Sequence, residues 1–123
     1  MMYVVISIGA VAGANLRFIV GNWISDTFGS TFPLATLAIN VTGSFILGLF
    51  LTLIGERLVV AWWWRPLVAV GFLGSYTTFS TFSYETVALA RDGSIIAAGA
   101  NIVASVGAAL IGVWLGMELA RAT

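Results

Sequence analysis

Six of the nine residues from 75 to 83 carry aliphatic hydroxyls: Ser75, Thr77, Thr78, Ser80, Thr81 and Ser83. Gly71 and Gly74 come just before them. Serine and threonine compete with the backbone for hydrogen bonds, and glycine weakens a helix interior. The stretch therefore reads as a helix break near Gly74–Thr78. Carbonyls freed by such a break inside a membrane can hold a cation. Phe79 and Phe82 are three apart and share a helix face. An aromatic ring has a negative face and a positive edge, so two ring edges can meet an anion without trapping it. Thr81 and Glu85 lie one turn apart, with Ser80 beside them.

Two other polar pairs have the same spacing. Thr36 and Asn40 are four apart, as are Asn101 and Ser105. Each amide supplies both a donor and an acceptor. Such pairs serve either as glue between helices, worth about 0.6 kcal/mol each on average, or as the lining of one polar track. Gly9, Gly13, Arg17 and Gly21 recur every fourth residue. Small residues at this spacing let helix backbones approach closely. Arg17 in an apolar run costs about 2.5–3.5 kcal/mol on insertion scales, so it must face protein, water or the interface. It is either a structural anchor or a source of positive potential for an anion. The donors outnumber the one carboxylate among them, Glu85. That balance favours a small anion that accepts many hydrogen bonds, with any cation confined to the break.

These residues need elements to position them, and the charges mark those elements. The 123 residues include only five basic and five acidic side chains, no His and no Cys. Sixty per cent are hydrophobic, and the mean hydropathy is +1.06. A water-soluble domain carries roughly a quarter charged residues. The chain therefore reads as one integral membrane domain, 1–123. The absence of His and Cys removes the usual zinc ligands and catalytic bases. A net charge of zero gives no field for nucleic acid.

A membrane-crossing helix needs about 20 mostly apolar residues. Four segments qualify, about 3–23, 33–54, 66–90 and 95–117, so the expected fold is all-α. Pro33 and Pro66 open apolar runs, as proline does in a first helical turn. Residues 26–31 read as a polar loop, and Asp92-Gly93-Ser94 as a turn with a capping serine. Trp23, Trp62, Trp63, Trp64 and Trp114 lie near span ends, where tryptophan anchors at the headgroups. Ala12-Gly13-Ala14 resembles a cleavage site, but no basic residue precedes the apolar run, so it reads as a retained helix. Four spans leave three arginines on one side (Arg57, Arg65, Arg121) and two toward the other (Arg17, Arg91). Orientation follows this bias, and the near tie predicts insertion both ways round.

The sequence resembles the Fluc (CrcB) family of fluoride channels over essentially its whole length. The resemblance lies in Gly9-Ala-Val-Ala-Gly13-Ala-Asn-Leu-Arg17, Thr36-Leu-Ala-Ile-Asn40-Val-Thr-Gly43, the Thr77-Thr-Phe79-Ser-Thr-Phe82-Ser-Tyr-Glu85 run and the polar last helix ending at Gly116. It implies an antiparallel, dual-topology homodimer with two pores. It implies passive export of cytoplasmic fluoride through the inner or plasma membrane of a prokaryote, which the chain crosses several times. A structural sodium ion at the dimer centre would be held by carbonyls of Gly74 and Thr77. Phe79 and Phe82 match the aromatic pair beside the ion, Asn40 the pore asparagine and Arg17 the first-helix arginine. Ser80, Thr81 and Glu85 match a polar group toward one mouth. Thr36, Asn101 and Ser105 join the expected pore. Two positions depart from the family: Asn101 stands where Tyr is common, and Ser75 where Gly is. The rival readings are a small multidrug resistance-type proton-coupled cation exporter and a non-conducting assembly subunit. The exporter family works from a first-helix carboxylate, whereas this first span carries Arg17.

Overall fold

The computed structural model describes residues 1–123, and every regular element is helical. Helix α1 is Met2–Phe28. Helix α2 is Leu34–Thr52, prolonged by the π-wound turn Leu53–Arg57. The π-wound Pro66–Leu73 continues into the single α-turn Gly74–Tyr76, and together these form α3, 66–76. Helix α4 is Phe79–Arg91 and α5 is Ile95–Ala122. Met2–Phe28, Leu34–Arg57 and Ile95–Ala122 are long and apolar enough to cross a membrane. Only 20 of 123 residues are buried, and most large apolar side chains point outward, an arrangement that suits lipid.

The expected helix 66–90 is divided. Thr77 (φ −81°, ψ 158°) and Thr78 (φ −150°, ψ 116°) are extended, whereas Gly74 keeps helical angles. Two threonines, and no glycine, therefore carry the interruption. Polar residues alone did not end α1, which runs through Asp26 and Thr27 instead of stopping at 23. It stops at Gly29, whose left-handed φ of 55° turns its N–H back to Ser25 O at 2.9 Å. Asp26 thus sits in the last turn of α1, far from the middle of the span. Ser94 occupies the cap position of α5 without a side-chain capping bond. The turn there rests on Gly93 at φ 88° and on Ser94 N–H donating to Leu89 O at 2.9 Å. Pro33 stands one residue before α2, in the cap position.

Glycines allow backbone-to-backbone packing at two seams. A Cβ at Gly9 would lie 2.1 Å from Leu67 O, and one at Gly13 would lie 2.1 Å from Phe72 O, so α1 lies directly on α3. A Cβ at Gly48 would meet Val113 O at 2.3 Å, and one at Gly116 would meet Phe45 O at 2.2 Å, joining α2 to α5. Lipid gives helices no hydrophobic reason to associate, so close van der Waals contact must supply the attraction. The glycine stripe of α1 opens out at Gly21, which faces only the Ile39 side chain.

The same contacts set direction. Gly43 faces Thr77, and Thr36 bonds Glu85, so 66–91 runs antiparallel to α2. Helices α2 and α5 run parallel and end together. There Arg121 pairs with Glu56 at 3.1 Å and with Glu118 at 3.2 Å, and the Arg57 guanidinium donates to Arg121 O.

Candidate functional site

The interruption between α3 and α4 is held open by Asn40. Its Nδ2 donates to Thr78 O at 2.9 Å, while its Oδ1 accepts Thr78 N–H at 2.8 Å. An amide side chain has the geometry of a peptide group, so it satisfies both backbone groups of one extended residue. This pairing deprives the Gly74 carbonyl of the residue-78 donor that a continuous helix would give it. The Thr78 hydroxyl then caps α4 by accepting Thr81 N–H at 3.2 Å. It also donates to the Thr81 hydroxyl at 3.1 Å. Thr77 turns its own hydroxyl back to Leu73 O at 2.9 Å.

Two clefts meet at this junction. The first, of about 290 Å³, is lined by Asn40, Ser44, Gly74, Thr77, Thr78, Phe79, Phe82 and Ser105 among others, and no charged side chain borders it. The Phe79 and Phe82 rings lie 5.5 Å apart and tilted by 49°. Phe82 is buried, but Phe79 is 77% exposed on the open side of the cleft. Asn40 keeps one Nδ2 hydrogen beyond the bond to Thr78. The second cleft, of about 450 Å³, holds Arg17, Asn22, Thr36, Thr78, Thr81 and Glu85. In it Thr36 donates its hydroxyl proton to Glu85 Oε1 at 2.5 Å. Thr78 is the residue that lines both.

The expected site residues thus come together in two groups. Asn40, Phe79, Phe82 and Ser105, with Gly74 and Thr77, border the neutral cleft. Arg17, Thr36, Thr81 and Glu85 border the charged one. Ser80 stands 3.4 Å from the Thr78 hydroxyl, outside both linings. Asn101 is 1% exposed, behind Ser105, and bonds Thr86 at 2.8 Å. Thr78 and Thr86 were absent from the expected set. A threonine at the head of an amphipathic run is a favoured N-cap type, which is the signal for the first. Nothing local in the sequence marks Thr86 as the partner of Asn101.

The Gly74 and Thr77 carbonyls suit a hard cation. One has lost its helical donor, the other belongs to an extended residue, and both residues border the cleft. Unwound backbone carbonyls of this kind hold sodium in broken membrane helices.

Residues 4–117 match the family described as CrcB-like protein, Camphor Resistance (CrcB). A fluoride-specific ion channel FluC from Methylococcus capsulatus is 47% identical over 116 residues, covering 94% of this chain but 51% of that protein. The chain thus spans about half the length of that relative. Another of the same name from Solibacter usitatus is 42% identical over 121 residues, 98% of this chain and 99% of that protein. A third, from Paramagnetospirillum magneticum, is 45% identical over 118 residues, 94% of this chain and 92% of that protein.

Proposed function

This chain belongs to the CrcB-like family, and we propose that it is a passive fluoride-selective channel that lets fluoride leave the cytoplasm. It is a multi-pass protein of a prokaryotic inner or plasma membrane, and 66–91 completes a fourth crossing. The neutral cleft supports this reading most directly. An ion sheds water only where protein groups replace it, and conduction needs each site to be weak enough to release the ion. The free Nδ2 hydrogen of Asn40 and the edges of Phe79 and Phe82 offer positive ends without a fixed cationic well. Arg17 draws anions toward the other cleft, where Thr81 and the Thr36–Glu85 pair, with Ser80 nearby, form the polar mouth.

The functional unit is an antiparallel homodimer with two pores. The exposure of Phe79 and Gly74 on one chain supports it, because a second copy would cover both. Carbonyls of Gly74 and Thr77 from both copies would hold a structural sodium ion, which supplies a fixed positive charge at the dimer centre.

Fluoride and chloride efflux from liposomes tests the assignment. Wild-type protein is expected to release fluoride and retain chloride. Phe79→Ile and Phe82→Ile are each expected to slow fluoride release at least tenfold, about 1.4 kcal/mol on the barrier. Equal loss of both ions, or wild-type rates in both variants, contradicts the reading. Orientation has its own measurement. The chain has no native Cys, so Ser30→Cys and Ala61→Cys can each be labelled from one face of the membrane. Each is expected to react about half from outside; labelling of either from a single side overturns dual topology.

A further inference from the structure

A chain of three hydrogen bonds links α5 to α4 behind the neutral cleft, and its direction is fixed. The Thr86 hydroxyl lies 2.8 Å from the Phe82 carbonyl, which can only accept, so Thr86 donates there. Its single proton is then spent. Asn101, 2.8 Å away, must present Nδ2 to Thr86 and donate. The amide oxygen therefore points the other way, toward Ser105 at 3.1 Å, and Ser105 donates to it. Asn101 is 1% and Ser105 7% exposed, so little water can compete for these bonds.

We propose that Asn101 is a positioning residue that takes up the Ser105 proton, so that Ser105 presents only lone pairs to the ion. This rests on the reading of the chain as a fluoride channel. A bare anion is repelled by an acceptor. Beside Ser105 the ion therefore keeps a water, which gives one hydrogen to Ser105 and the other to fluoride. The wall formed by α5 leaves direct anion contact to Asn40 and the two rings. It also avoids a fourth donor that would hold the ion too long, since a hydrogen bond to a charged group is stronger than a neutral one.

Fluoride efflux from liposomes carrying Ser105→Ala, Asn101→Leu and the double variant tests this, with wild type alongside. Ser105→Ala removes the oxygen that seats the bridging water, and its rate is expected to fall about two- to threefold, short of the tenfold loss that removing a direct donor would give. Asn101→Leu frees the Ser105 proton to grip the ion, and its rate is expected to fall about tenfold. Adding Ser105→Ala to Asn101→Leu is expected to restore the rate to within threefold, an outcome that loss of packing alone would not give. A tenfold loss in Ser105→Ala overturns the proposal, as does a double variant as slow as Asn101→Leu. If Asn101→Leu does not elute as folded protein, the Ser105→Ala rate decides. Absence of flux in wild type contradicts the channel reading itself. The hydrogen-bond direction is then read by NMR of the Asn101 side-chain amide in micelles. Slow exchange with solvent supports the assigned bonds, and fast exchange overturns them.

Discussion

Asn40→Leu is expected to cut fluoride efflux at least a hundredfold while chloride stays excluded. Leucine has the same branching and number of side-chain heavy atoms as asparagine, so the change chiefly removes hydrogen bonds. Two bonds disappear together, Nδ2 to Thr78 O and Thr78 N–H to Oδ1. Thr78 is 8% exposed, so its backbone groups find little water. An unsatisfied buried group costs about 1–3 kcal/mol, so two cost about 2–6 kcal/mol. The segment can avoid that cost by rewinding, with Thr78 N–H returning to Gly74 O. Rewinding would turn Thr77 out of its extended state and displace Phe79 and Phe82, which follow within one turn. Asn40→Asp keeps the acceptor for Thr78 N–H but sets a carboxylate against Thr78 O, so it is expected to fail too. Efflux within threefold of wild type in Asn40→Leu would show that the amide does not hold the junction open.

Gly13→Val is expected to eliminate folded protein. The first added carbon would lie 2.1 Å from Phe72 O and 2.9 Å from Phe72 C. Both are backbone atoms, so no side chain can swing aside. Overpacking commonly costs about 1–3 kcal/mol, and here α1 must also separate from α3, losing the contact at Gly9 and Gly71. Gly107→Ala is the matched control, because nothing lies within 4 Å of a Cβ there. Elution in detergent and the thermal midpoint read both variants. A single folded peak for Gly13→Val at the wild-type midpoint would show that the α1–α3 seam tolerates separation.

Charge spacing made most of the helix positions legible. The long charge-free runs became α2 and α5, and the glycine stripe of α1 does lie on α3 at Gly9 and Gly13. The hydroxyl-rich run also marked the interruption, because the Thr78 hydroxyl caps α4 locally, although the distant Asn40 holds the backbone open. What the sequence did not disclose depends on distant partners. The Asn40–Thr78 pairing spans 38 positions, and Thr36–Glu85 spans 49. Either asparagine stripe could equally have been lining or glue. Asn40 is both brace and lining, while Asn101 is turned inward. Thr36 borders one cleft while Asn40 and Ser105 border the other, and stripe spacing says nothing about what stands between them. The π-wound turns at Leu53–Arg57 and Pro66–Leu73 have no compositional signature. Helix ends followed glycine conformation more than polarity, as Asp26 and Gly29 illustrate.

Thr78 is the shared wall of the two clefts, and that thinness has an electrical meaning. Water filling the clefts would carry a high dielectric to both sides of one residue. The membrane voltage would then fall over a few ångströms instead of across the whole bilayer. Moving one charge through a full drop of 100 mV is worth about 2.3 kcal/mol. If the chain conducts as proposed and its clefts open to opposite faces, most of that work would fall at the passage beside Thr78, and that step would set how current responds to voltage.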